Sequence, residues 1–358
     1  LSSGTVIETD LVILSIGVRP DTKIAHDAGL KLGKNGAITV DELFTTSDPH
    51  IKAVGDAIEY PSPFTKTPIT VPLAGPANKQ ARLCADAIVT GTCRPYRGTI
   101  ATSIAKIFDL TAASTGMTGK QLKTVQIPYA EVITHAGSHA GYYPNALQLA
   151  LKILYDPQTG RLYGGQAVGY DGVDKRIDVL AALIGKEGTI HDLAEFEQAY
   201  APPFSSAKDP LNMVGFIAQN VLDGVTRLVT WDKVAPMRES GAFLLDVRTE
   251  EEFDLGSIPS AVNIPHTQIR SRLDEIPKDR PLILFCAIGV RGYLAQRMLA
   301  HHGFSDTYNL TGGYKTWQAV TNELEALEHP EHAQFALFTP HPGEEDGSPR
   351  APQSDTVK

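Results

Sequence analysis

Leu282-Ile283-Leu284-Phe285-Cys286-Ala287-Ile288-Gly289-Val290-Arg291-Gly292 is the stretch that decides how this 358-residue chain is read. Its four apolar residues, Leu282–Phe285, predict a strand, and the run from Tyr293 to His302 predicts a helix. With a second strand at Phe243–Val247 and helical segments around both, the pattern is α/β with parallel strands. A glycine-bearing turn from strand to helix lets backbone N–H groups converge on one point, at the positive end of the helix. A thiol there, Cys286, has its thiolate favoured, and Arg291 adds a fixed positive charge. Such a nucleophile can accept a sulfur atom and hold it as a persulfide, with no metal and no general base. A lone cysteine after an apolar strand also reads as a core residue, so the surroundings must decide.

Towards the N-terminus, Asp10–Ile16 is a continuous β-rich run of the kind expected for a parallel strand buried on both faces, ended by Gly17-Val18-Arg19-Pro20. A second such strand is expected at Ile51–Val54, closed by Gly55-Asp56, and a helix over Asn78–Val89 with Gly91 as its stop. Between Tyr96 and Leu222 the texture is α+β. Strands are expected at Thr102–Phe108 and Leu149–Tyr155, helices at Lys175–Ile184 and Leu211–Val221, and a hairpin turn joins Tyr155-Asp156-Pro157 to Thr159-Gly160-Arg161-Leu162. Asp223-Gly224 marks a boundary, after which Thr230 or Asp232 caps a further helix. From His329 onward the Pro-, Gly-, Glu- and Ser-rich tail is expected to be disordered.

Composition narrows the function. A hydrophobic share of 42% with 20% charged residues is globular. A formal charge of -9 with no basic block argues against nucleic acid or an anionic membrane as partner. Three scattered cysteines, Cys84, Cys93 and Cys286, make neither a disulfide framework nor a Cys-x-x-Cys zinc site. The best apolar run, Leu147–Tyr155, is short and carries Lys152, so no spanning helix is expected and the cytoplasm is the expected compartment. The chain opens at Leu1 inside what reads as a strand, and is expected to be a fragment of a longer protein.

Around Cys286, three further motifs follow in order: Leu245-Asp246-Val247-Arg248-Thr249-Glu250-Glu251-Glu252-Phe253, Gly256-Ser257-Ile258-Pro259-Ser260-Ala261-Val262-Asn263-Ile264-Pro265 and Leu310-Thr311-Gly312-Gly313-Tyr314. Together they resemble the rhodanese family of sulfurtransferases over about 229–324. The resemblance implies Cys286 as persulfide carrier, with Ala287, Ile288, Gly289, Val290 and Arg291 completing the loop, and Asp246 and Arg248 as its supports. Ser257 stands where the family usually has His, a change expected to touch only packing. Ala287 stands where many members have Arg, which leaves less charge to draw in thiosulfate and points toward a persulfide or thiol partner.

The N-terminal half carries flavin-type signals. In Thr45-Thr46-Ser47-Asp48-Pro49-His50-Ile51-Lys52-Ala53-Val54-Gly55-Asp56-Ala57, a carboxylate beside a glycine can accept hydrogen bonds from sugar-like hydroxyls, or merely cap the next segment. Pro72-Leu73-Ala74-Gly75-Pro76 opens a helix whose N-terminal dipole could face the pyrimidine edge of a flavin. With Ile13-Leu14-Ser15-Ile16-Gly17-Val18-Arg19-Pro20, these segments resemble the C-terminal portion of single-cysteine pyridine nucleotide–disulfide oxidoreductases over about 1–222. Among that family the likeness is to coenzyme A-disulfide reductases with a C-terminal rhodanese domain.

That resemblance implies FAD and NAD(P)H as cofactors, Asp56 on the ribityl chain, coenzyme A as substrate or bound carrier, and a homodimer. It further implies two tyrosines reaching the flavin-side thiol of the partner subunit: Tyr200 and Tyr142, with Tyr143 as the fallback. These aromatics could equally pack a dimer interface. The family's two Gly-x-Gly-x-x-Gly motifs and its redox cysteine do not occur in these 358 residues, and Cys84 and Cys93 read as structural. His135 and His139 have the spacing of metal ligands on a helix, but Gly137 and Gly141 disfavour one, so no metal is expected.

The expected architecture is therefore α/β and α+β multidomain: the end of an NAD(P)-binding domain at 1–20, the C-terminal part of a Rossmann-like FAD-binding domain at 21–97, an α+β dimerisation domain at 98–224, a rhodanese domain at 229–325 and a tail at 326–358. The expected function is flavin-dependent NAD(P)H reduction of a coenzyme A disulfide, persulfide or polysulfide, with the sulfurtransferase fused to it and the redox half incomplete in this stretch. Two alternatives stand beside it: a rhodanese working on a non-catalytic scaffold, and a non-enzymatic sulfur-carrier or redox-sensing module. Peroxidase and oxidase relatives share the domain order but not the appended rhodanese.

Overall fold

The computed structural model describes Gly4 and residues 6–328, and the tail expected from His329 lies outside the described residues. The first unit runs α1 (Lys23–Asp27), β1 (Ile38–Thr39), β2 (Ile58–Pro61), β3 (Pro68–Ile69) and α2 (Ala74–Thr90). Strand β2 lies parallel to β1 and antiparallel to β3. Phe44, Ile58, Tyr60 and the α2 residue Cys84 form its core. Gly91 ends α2 with φ 74°, a left-handed conformation that glycine adopts without steric cost.

Two expected strands are not formed. Residues 10–16 pair with no strand among the described residues, and their apolar side chains are exposed, Leu14 by 79%. A strand buried on both faces needs ladder partners and covering helices, and the described residues supply neither here. Ile51–Val54 makes a single bridge, Lys52 with Thr45. Its backbone is spent on the preceding turn: Ala53 N–H donates to Phe44 O at 3.0 Å, and Ile51 O accepts from Thr46 N–H at 3.0 Å. The paired strand, β2, starts after Asp56 instead.

The second unit comprises β4 (Ser103–Ile107), β5 (Leu110–Gly116), α3 (Gly119–Thr124), β6 (Ala130–Gly137), β7 (Gln148–Tyr155), β8 (Leu162–Gly169), α4 (Val173–Ile184), α5 (Ile190–Glu195) and α6 (Pro210–Leu222). Its sheet is antiparallel in the order β4-β5-β8-β7-β6, so β6 is an edge. Leu149, Leu151, Ile153 and Tyr155 alternate inward along β7, and Val173, Ile177, Leu180 and Ile184 of α4 recur at helical spacing in the same core. The β7–β8 turn forms where expected. Asp156 accepts from Gln158 and Thr159 N–H at 2.7 and 3.0 Å, and Gly160 supplies φ 73°.

The third unit comprises β9 (Leu228–Val229), α7 (Trp231–Glu239), β10 (Phe243–Asp246), α8 (Glu250–Asp254), β11 (Val262–Asn263), β12 (Leu282–Phe285), α9 (Val290–His301), β13 (Thr307–Leu310) and α10 (Gly313–Glu328). Its sheet is parallel throughout, in the order β11-β10-β12-β13-β9. Every residue of β12 is buried, because helices cover both faces of a parallel sheet. Thr230 precedes α7, but its hydroxyl donates to Asp232 rather than capping a backbone N–H. Helix α9 begins at Val290, earlier than the expected Tyr293, which brings Arg291 into its first turn. Among the described residues no helix is long and apolar enough to cross a membrane.

Candidate functional site

Cys286 follows β12 directly and is 1% exposed. Gly289 N–H donates to its Sγ at 3.1 Å, at the N-terminus of α9 where φ of Gly289 is 113°. The loop's carbonyls are committed to other donors. Cys286 O accepts from Tyr314 N–H at 2.8 Å and Ala287 O from Lys315 N–H at 3.0 Å, both in the first turn of α10. Gly289 O accepts from Asn309 Nδ2 at 3.0 Å. This closeness demands glycine at 313, where φ is 61° and a Cβ would lie 2.4 Å from Cys286 O.

Arg291 is within reach of the Cys286 sulfur and makes a two-pronged pair with Glu252, at 2.6 and 2.7 Å. The guanidinium holds the Glu252 carboxyl down to about 2, and Glu252 in turn raises Arg291. Glu252 was not singled out in the sequence. Its visible signal, Thr249-x-x-Glu252, is the capping box that starts α8, with bonds of 3.3 and 3.1 Å in the two directions, and it carries no mark of the distant arginine. Below the loop, Arg248 Nη2 meets the fully buried Asp246 at 2.7 Å, donates to Gly256 O at 2.6 Å, and lies 4.3 Å over the Tyr314 ring. Ser257 does more than pack: its hydroxyl donates to Asp246 Oδ2 at 2.7 Å, adding a donor to the buried carboxylate oxygen that Arg248 already holds.

Tyr142 and Tyr200 are brought together, with their hydroxyls 3.0 Å apart and their side chains open to solvent. The bond from Tyr142 raises the Tyr200 phenol pKa. Tyr143 turns away, its ring edge-on to His139 at 5.9 Å. The two tyrosine loops are clamped by an ion pair that no sequence motif marks. Arg176 and Asp209, each 1% exposed, meet at 2.8 Å. Arg176 also donates to Ser138 O at 2.8 Å, while Asp209 accepts from Ser205 Oγ at 2.7 Å. Ala140 N–H closes the seam on Ser205 O at 3.0 Å. A charged residue on the buried Val173–Ile177–Leu180 face of α4 was the available signal.

The flavin-type residues line a cleft of about 730 Å³, whose wall includes Arg19, Asp21, Asp56, Thr70, Pro72 and Asn78. Ala74 shares that wall, and Gly17, Gly55 and Leu73 each adjoin wall residues. Gly55 turns the chain with φ 83°, and its N–H is fixed on the buried Gln80 Oε1 at 2.7 Å. Asp56 has no hydrogen-bond partner among the described residues, so its carboxylate is free for a ligand's hydroxyls. The start of α2 borders the same cleft through Ala74, Ala77 and Asn78. An unpartnered carboxylate and a helix start lining one cleft of this size fit a polyol-linked, electron-accepting ring system.

Cys84, Cys93, His135 and His139 are engaged elsewhere. Cys84 is buried in α2, which pushes its thiol pKa up, and Cys93 Sγ contacts Glu42 O at 3.6 Å. His135 lies on β6 and bonds Thr316 Oγ1 at 2.7 Å, while His139 bonds Ser138 Oγ and Pro144 O, each at 3.0 Å. Among the described residues no group of three or more metal-type ligands occurs.

In chain order, a cleft-bearing unit, an antiparallel-sheet unit and a parallel-sheet unit with a thiol at a strand-to-helix turn make up the described chain. The family profiles agree. Residues 1–80 match pyridine nucleotide-disulphide oxidoreductases, 102–210 their dimerisation domain, and 230–320 the rhodanese-like domain. The chain thus joins two regions similar to pyridine nucleotide-disulphide oxidoreductases to one similar to the rhodanese-like domain.

Among individual proteins, it is 37% identical over 217 residues to the coenzyme A disulfide reductase of Staphylococcus aureus, covering 61% of this chain and 49% of that one. The crystal structure of reduced Bacillus anthracis CoADR-RHD superimposes with a TM-score of 0.85 at 48% identity, covering 90% of this chain and 57% of the other. A NAD-dependent persulfide reductase from A. fulgidus matches with a TM-score of 0.76 at 39% identity, covering 84% and 54%. The chain spans about half the length of the curated relatives it matches.

Proposed function

We propose that the chain is the sulfur-transferring and dimer-forming part of a flavin- and NAD(P)H-dependent reductase of coenzyme A disulfide or persulfide, with Cys286 as the persulfide carrier. The observation that carries this reading is the Gly289 N–H on Cys286 Sγ at the start of α9. That bond favours sulfur bearing negative charge, which both the thiolate and the persulfide require. The Cys286 thiolate attacks the outer sulfur of a donor, either thiosulfate or a persulfide. The donor's S–S bond breaks and sulfite or a thiolate leaves with the electron pair, so that Cys286 holds an anionic persulfide. An acceptor thiolate then attacks that outer sulfur, and the Cys286 thiolate returns. Arg291 supplies positive charge through both steps, and Glu252 fixes where it stands.

In the cleft, Asp56 would accept from the ribityl hydroxyls of FAD, and the α2 N-terminus would meet its pyrimidine edge. When bound, the flavin supplies two-electron transfer between a nicotinamide and sulfur. Tyr142 and Tyr200 would donate hydrogen bonds to a thiolate leaving from the partner subunit's side of a homodimer; their shared bond and their exposure support that placing. A sulfurtransferase that runs without nicotinamide is the second reading, supported by the fact that every residue of the Cys286 loop is in this chain.

Sulfite release from thiosulfate with coenzyme A as acceptor tests the proposal. The chain releases sulfite and a Cys286→Ser variant does not. Release that persists in the variant contradicts it.

A further inference from the structure

We infer that Thr311 is a positioning residue for the Cys286 loop, through which the edge strand β6 of the neighbouring unit fixes the persulfide cradle; the inference rests on the carrier role of Cys286 proposed above. Thr311 is 3% exposed, and its hydroxyl bridges one residue of β6, accepting from Ile133 N–H at 2.8 Å and donating to Ile133 O at 3.0 Å. An edge strand presents unpaired N–H and C=O groups, and one side chain here satisfies a donor and an acceptor together. The seam continues along β6 and β7: His135 Nε2 bonds Thr316 Oγ1 at 2.7 Å, and Lys315 Nζ donates to Gln148 Oε1.

The same short segment is the wall of the loop. Tyr314 and Lys315 N–H hold the carbonyls of Cys286 and Ala287, and the Tyr314 ring covers Arg248. Between the two functions lie Gly312 and Gly313, with φ of 72° and 61°. A Cβ on Gly312 would come 2.9 Å from Ile133 Cγ2, and one on Gly313 would come 2.4 Å from Cys286 O. The two glycines let the chain touch the foreign sheet on one side and the sulfur-bearing loop on the other within a few residues. Loosening the β6 anchor releases the α10 N-terminus, and the Cys286 and Ala287 carbonyls with it.

The test uses the full chain and Thr311→Val, which keeps the shape and loses both bonds. Two readouts are taken: the thiosulfate kcat, and the pH profile of Cys286 alkylation followed on its own peptide by mass spectrometry. The expected result is a kcat lower by about fivefold or more, an alkylation profile moved to higher pH, and recovery of both in Thr311→Ser, which restores the hydroxyl. A melting curve with unchanged secondary structure separates this from misfolding. Thr316→Val, which loses only the His135 bond, gives a smaller shift in the same direction. Wild-type rates and an unmoved profile in Thr311→Val overturn the inference. Absence of sulfur uptake by Cys286 in the wild type would instead overturn the carrier role.

Discussion

Asp209→Asn removes one charge from the Arg176–Asp209 pair and leaves its shape. Both side chains are 1% exposed and 2.8 Å apart, so the variant strands a guanidinium where water cannot reach it. Breaking such a pair from one side costs roughly 3–5 kcal/mol, and Asn keeps one oxygen as acceptor, which places the expected loss near 3 kcal/mol. Against a total of about 5–15 kcal/mol, and with a urea slope of about 2 kcal/mol per M, the midpoint for this unit falls by about 1.5 M. The assay needs two probes, because units of one chain need not unfold together. Far-UV circular dichroism follows the whole molecule. The two tryptophans, Trp231 and Trp317, both lie in the parallel-sheet unit and report that unit alone. The dichroism transition moves and the fluorescence transition moves less. Arg176→Met/Asp209→Leu, which removes both charges, recovers little of the loss, because it also strands Ser138 O and Ser205 Oγ and removes the cap of α6. A change below about 0.5 kcal/mol in Asp209→Asn would refute the claim that this pair clamps the tyrosine loops.

Glu252 titrates at about 2 when folded and at 4.5 ordinarily, so its pair with Arg291 stabilises fully above pH 4.5 and is lost as pH falls toward 2. With the Glu252 side chain 34% exposed, solvent screening brings the contribution to about 1 kcal/mol. Unfolding free energies of wild type and Glu252→Gln therefore differ at pH 6 and converge near pH 2. Tyr142→Phe takes away the hydroxyl that raises Tyr200, so in spectrophotometric pH titration the Tyr200 phenol ionises at lower pH than in the wild type. A Tyr200 titration that stays where it was contradicts the hydroxyl contact.

Much of the fold was legible because its signals are local. The apolar run Leu282–Phe285 became β12, the alternation in Leu149–Tyr155 became β7, and Gly91 ended its helix. Asp10–Ile16 misled for a physical reason: β-propensity and apolarity describe a strand that is already covered, and whether partners are at hand is not written in the run itself. Ile51–Val54 misled because its backbone groups bond the preceding turn at Phe44 and Thr46 instead of a neighbouring strand. The site divides along the same line. Cys286, its glycines and Asp56 announce themselves through neighbours in sequence. Glu252 and Thr311 act across 39 and 178 residues, so only the folded chain assigns them to the loop. The small, hydroxyl-bearing Thr311 gave no sign that it would seal an edge strand of another unit.

The central claim is that Cys286, rather than Cys84 or Cys93, carries the sulfur. Incubation of the intact chain with thiosulfate, digestion without reductant and mass spectrometry of the cysteine peptides test it directly. The account predicts one added sulfur atom on the Cys286 peptide, discharged when a thiol acceptor is supplied. Added sulfur on Cys84 or Cys93 with Cys286 unmodified would contradict it.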